Sequence, residues 1–156
     1  MTIQHFVRGF LVSLVVWIFA TGACTGAEPI RIADIQARLF LQYTGTLSAV
    51  TNGRILWNLP AGGGDAAEPG SAALIDVTLS GPSESFVGGR SVSLAVWSER
   101  TGKVLERHTT NIGIFGPAGR THVGFWLARV GCEPLRLVIT VASDSKTLRL
   151  PFKCGE

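Results

Sequence analysis

Along most of the chain apolar and polar residues alternate one for one, as in a strand with one face in a core and the other in water. Ala73, Ile75, Val77 and Leu79 share one phase, with Leu74, Asp76, Thr78 and Ser80 in the other. Val92, Leu94 and Val96 alternate with Ser93 and Ala95, and Thr121, Val123, Phe125 and Leu127 oppose His122, Gly124 and Trp126. Leu135, Leu137, Ile139 and Val141 are followed by Leu148, Leu150, Phe152 and Cys154. Ala37, Leu39, Leu41 and Tyr43 alternate with Arg38, Phe40, Gln42 and Thr44, a first strand with apolar groups in both phases. Gly81-Pro82, Gly88-Gly89, Thr101-Gly102, Gly116-Pro117-Ala118-Gly119 and Gly131 punctuate these runs, in the manner of turns. After residue 27 no capped segment holds a helical period for more than about two turns. The pattern predicts an all-β fold, an antiparallel β-sandwich of about seven or eight strands. A closed barrel is the alternative, and the strand spacing excludes a βαβ architecture.

The segment Ser98 to Thr110 reads as a hairpin turning at Thr101-Gly102. With the strand before it, from Ser91, it resembles hairpins of immunoglobulin-like and transthyretin-like sandwiches. That resemblance bears on the fold and carries no function with it. The Cys–Trp–Cys spacing of antibody domains is absent.

The first residues follow a different rule. His5 and Arg8 precede an eleven-residue apolar run, Phe10 to Ala20, broken only by Ser13. A helix needs about 20 residues to cross the bilayer core, so the run is too short to span. Small residues from Thr21 to Ala27 follow it, as a signal peptidase requires. Residues 1–27 are therefore read as a signal helix, cleaved or of lipoprotein type, and residues 28–156 as one β-sandwich domain. Thr21-Gly22-Ala23-Cys24 resembles a lipoprotein signal and makes Cys24 the candidate lipidation site, although Thr21 stands where leucine is usual. A lipid at Cys24 is the only membrane attachment this reading contains.

Export also bears on the two remaining cysteines, Cys132 and Cys154, which would pair in an oxidising compartment. Leu135–Ala142 and Thr147–Cys154 read as strands around Ser143–Lys146. If Ala142 faces Thr147, Leu135 faces Cys154. Cys132 then lies three residues beyond that partner, and Pro134 bends the chain back across the gap. Such a disulfide would stabilise the fold by about 3 kcal/mol. No C-x-x-C spacing supports a catalytic or metal-binding thiol pair.

The formal net charge of the whole chain is +3, and its arginines alternate with apolar residues instead of forming a run. A nucleic-acid partner is not expected, because binding of that kind concentrates charge into a patch. Ser48 to Ser71 is a long connection, apolar from Ile55 to Leu59 and glycine-rich from Ala61. Trp57 and Asn58 are the candidate partner-binding residues there. The competing reading, which the sequence favours, makes Ile55–Leu59 another strand and Trp57 a core residue.

Catalytic chemistry finds little to work with. If residues 103–110 paired with 120–128, His108 and His122 would stand about 17 Å apart along the ladder, too far to share a metal. Spacing places no carboxylate near either, and Asp76, between Ile75 and Val77, would simply face water. There is no G-x-S-x-G elbow, H-E-x-x-H pair or phosphate-binding loop, and the acidic residues lack the spacing of a calcium loop. No cofactor is expected. The chain is read as an exported bacterial envelope protein, in the periplasm or outside the cell, acting as a non-enzymatic binding or assembly module on a protein partner. An inhibitor of a secreted enzyme presenting the Trp57 loop is the second reading, and a small hydrolase with a site built from distant strands is the third.

Overall fold

A computed structural model of the protein describes residues 28–57, 66, 68–128 and 130–153. Among them the fold is all-β, without helix. Nine strands follow in order: β1 (Arg31–Leu41), β2 (Leu56–Trp57), β3 (Gly70–Ser80), β4 (Ser91–Ser98), β5 (Val104–Asn111), β6 (Arg120–Leu127), β7 (Leu135–Val141), β8 (Asp144–Leu150) and β9 (Phe152–Lys153). Three form an antiparallel sheet in the order β1-β3-β6, and four form another in the order β5-β4-β7-β8. The short strands β2 and β9 pair in parallel. No helix of the described residues is long and apolar enough to cross a membrane.

The alternation read from the sequence sets the core. Ala73, Ile75, Val77 and Leu79 of the three-stranded sheet and Val92, Leu94, Leu137 and Ile139 of the four-stranded sheet are all buried, in one hydrophobic cluster. Val123, Phe125 and Leu127 join it from β6. Each such Val, Leu, Ile or Phe side chain stabilises the fold by about 1.5–3 kcal/mol through removal from water. The opposite phase of each strand is left as an outer face.

Turn chemistry decides where the strands stop. The hairpin at Thr101-Gly102 forms as expected: Ser98 N–H donates to Lys103 O, Gly102 N–H donates to Ser98 O, and Gly102 takes φ +68°. The first strand ends earlier than its pattern suggests. Leu41 and Gly45 close a turn through Leu41 N–H to Thr46 O and Gly45 N–H to Leu41 O. Tyr43 stands exposed at its tip. The glutamate Glu68 competes with further pairing here by accepting from the Tyr43 and Thr44 N–H groups.

The last hairpin is tighter than its sequence reading. Val141 faces Asp144 across the two-residue turn Ala142-Ser143, so Leu135 faces Leu150 and not Cys154. This register puts Leu137 opposite Leu148, matching apolar phases on both strands. It also lets the Asp144 carboxylate accept from Ile32 N–H at 2.7 Å, tying the turn to β1. Cys132 lies three residues before Leu135 and is partly buried. Cys24, Cys154 and residues 1–27, the segment read as a signal, lie outside the described residues.

Candidate functional site

The four-stranded sheet carries its outer phase as three rungs. The first joins Thr109, Ser93, Thr140 and Ser145 on successive strands, and the second joins Arg107, Ala95, Val138 and Thr147. In the third, Trp97 faces Arg136, which faces Arg149. One end of this face is thus a row of hydroxyls and the other a cluster of guanidinium groups beside an indole. The short side chain of Ala95, between Arg107 and Val138, keeps the floor low.

A groove of about 440 Å³ runs over this surface, with Ser93, Trp97, Arg107, Thr109, Arg136 and Thr140 in its walls. No residue lining it is acidic. The Arg136 guanidinium lies over the Trp97 ring, 5.2 Å from its centroid, an attraction between cation and ring quadrupole. Arg107 makes no ion pair among the described residues. Arg149 is held by Glu99 at 2.9 Å. A second depression, lined by Ser98, Glu99, Arg136 and Arg149, shares Arg136 with the first. The two depressions adjoin at that residue.

Sequence reading did not find this site. The arginines are scattered along the chain, and it is the fold that gathers Arg107, Arg136 and Arg149 on one face. The signal available was the phase of each residue within its strand, and the missing information was which strands are neighbours.

The residues singled out from the sequence are placed elsewhere. Trp57 is not a buried core residue: it is 37% exposed, while its neighbour Leu56 is buried. Pairing of Leu56 with Phe152 and of Trp57 with Lys153 explains the difference, because alternate side chains in a strand face opposite ways. The Lys153 ammonium lies 5.1 Å from the Trp57 ring centroid. Asn58 lies outside the described residues.

The histidines require a correction. β5 pairs with β4 and β6 pairs with β3, so His108 and His122 belong to different sheets and share no ladder. Each also meets a carboxylate. His108 Nε2 lies 3.0 Å from Glu106 Oε2, and His122 Nδ1 lies 3.0 Å from Asp76 Oδ1. Asp76 therefore pairs across the strands, because β3 and β6 set Asp76 and His122 two residues apart on one face. Thr78 Oγ1 approaches the same ring nitrogen of His122, at 3.4 Å. A proton relay needs the orienting carboxylate and the nucleophile on different ring nitrogens, so this trio is a cross-strand polar cluster. Among the described residues no group of three or more His, Cys, Asp or Glu side chains is placed to hold a metal.

The chain matches no protein-family model and shows no significant similarity to a curated protein.

Proposed function

We propose that residues 28–156 form an exported, non-enzymatic binding module that takes its ligand in the groove of the four-stranded sheet. The observation that carries this reading is the groove itself: an indole, two guanidinium groups and a row of hydroxyls, presented by three adjacent strands. Binding sites join an apolar surface to a few placed polar groups in this way. The strand orders β1-β3-β6 and β5-β4-β7-β8 support an immunoglobulin-like β-sandwich. Such a scaffold would hold the groove on rigid strands, where side-chain positions are better fixed than on loops.

The same reading places the protein in the periplasm or outside the cell, with residues 1–27 as its signal and Cys24 as the point of any lipid anchor. Cys132 and Cys154 are proposed to pair. The β7–β8 register supports this, since it brings the segment before Leu135 alongside the segment after Leu150. Exposure of Trp57 beside Lys153 favours one further reading, an inhibitor that presents this ring to a target cleft.

Sedimentation with an insoluble envelope fraction tests the groove. The purified protein is expected to co-sediment, and Ala95→Phe, which fills the floor, is expected to stay in solution while keeping its circular-dichroism spectrum. Equal retention of both proteins, or retention of neither, would overturn the groove reading. Loss of retention on Trp57→Ala with Ala95→Phe unaffected would move the site to Trp57.

A further inference from the structure

We propose that the occupant of the groove is an acidic oligosaccharide, a chain of sugar rings bearing carboxylates. The inference rests on the binding reading above and adds the class of ligand. Three observations converge on it.

The first is charge. Arg136 faces Arg149 directly across two strands, and Arg107 joins them one rung away. Like charges directly opposite are unfavourable in a sheet. Glu99 is the only carboxylate in ion-pair contact with any of the three among the described residues, and it meets Arg149. The lining of the main groove is wholly without acidic groups. Carboxylates arriving on Arg107 and Arg136 would relieve that imbalance through charge-assisted, bidentate hydrogen bonds.

The second is the kind of polar group on offer. Ser93, Thr109 and Thr140 present hydroxyls, each able to donate and accept. Sugar hydroxyls have the same dual character. The backbone N–H and C=O groups of β4 and β7, the two interior strands of this sheet, face strands on both sides. An extended peptide would therefore find no open edge on the groove floor to pair with.

The third is length. The hydroxyl row at Thr140 and the guanidinium-bearing Arg136 stand four residues apart along β7, about 13 Å. A single sugar would cover only part of that distance, whereas a short chain of rings spans from the hydroxyl row to the arginines.

Calorimetric titration of the full mature protein with a short oligogalacturonate, and with the methyl ester of the same oligomer, tests the inference. The ester keeps the rings and every hydroxyl and removes the charge. The acid is expected to bind and the ester to bind about tenfold more weakly or not at all. Arg107→Gln, on an edge strand, is expected to weaken the acid about tenfold and to leave the ester unchanged. Raising salt from about 0.05 M to about 0.5 M should weaken the acid selectively. Equal binding of acid and ester would overturn the acidic class. So would binding of neither, and in that case co-sedimentation that still depends on Ala95 would leave the groove as a binding site for another ligand. Failure of both experiments would remove the groove reading as well.

Discussion

Arg136 stands directly opposite Arg149 in the β7–β8 ladder, and each guanidinium is met by a different partner. Arg136 turns onto the Trp97 ring, and Arg149 turns to Glu99. Two like charges on one rung are thus drawn apart by an indole on one side and a carboxylate on the other.

Removing the carboxylate should expose the repulsion. Glu99→Gln is expected to lower stability by about 0.5 kcal/mol, since the Arg149 side chain is largely exposed and ion pairs at the surface contribute little. The loss should shrink in high salt, and it should be smaller still in an Arg136→Ala background, where the repulsion is already gone. Urea denaturation of the two single variants and the double variant at low and high salt measures all three terms.

Ser98 is among the few buried polar residues. Its hydroxyl donates to the Glu133 carboxylate and accepts from Thr101 N–H at 2.9 Å, joining the β4–β5 turn to the segment before β7. Ser98→Ala leaves both partners without this group and is expected to cost about 1–3 kcal/mol. Glu133→Gln keeps an acceptor for the hydroxyl and should cost less. Chemical denaturation midpoints at constant slope are the check.

Two glycines separate backbone strain from crowding. Gly119 takes φ +62°, and a Cβ there would lie 2.6 Å from the Gly81 carbonyl oxygen. Gly45 takes a similar φ, +67°, with nothing within 4 Å. Gly45→Ala should cost about 1–2 kcal/mol, the ordinary penalty of a left-handed alanine. Gly119→Ala should cost clearly more, because backbone must move. Equal losses in thermal denaturation would show that the Gly81–Gly119 approach relaxes freely.

Glu68 gives the fold a pH-sensitive clasp. Desolvation pushes its carboxyl upward, but the hydrogen bonds from Thr44 N–H, the Thr44 hydroxyl and Tyr43 N–H outweigh this and hold its pKa below the ordinary glutamate value. A carboxylate with a lowered folded pKa adds stability that is fully present above its unfolded value and is lost as pH falls through the folded one. The Thr44 amide proton resonance should therefore titrate with a midpoint below the ordinary glutamate value, and Glu68→Gln should abolish that titration. A midpoint at or above the ordinary value would show that the clasp does not favour the charged form.

How much of this was legible beforehand follows from what each residue depends on. Val77, Val92, Leu94 and Ile139 could be assigned to the core because alternation is a local property of a strand. The Thr101-Gly102 turn was readable for the same reason. The partner of each strand was not local: His122 meets Asp76 only because β6 lies beside β3, 46 residues earlier in sequence. The Arg136–Trp97 contact likewise needs β4 beside β7. Trp57 was misjudged because an apolar run so short does not reveal which of its alternate positions faces in. The last hairpin slipped because Ser143–Lys146 looked like a loop by composition, whereas matching Leu137 with Leu148 demanded a two-residue turn.

Strict alternation along β4 has a consequence for how such a protein can change over generations. Val92, Leu94 and Val96 point inward, and Ser93, Ala95 and Trp97 point away from them. The chemistry of the outward surface can be rewritten one residue at a time without disturbing the interior that keeps the chain folded. A lineage built on this scaffold is thereby free to vary what it presents to its surroundings while its architecture persists.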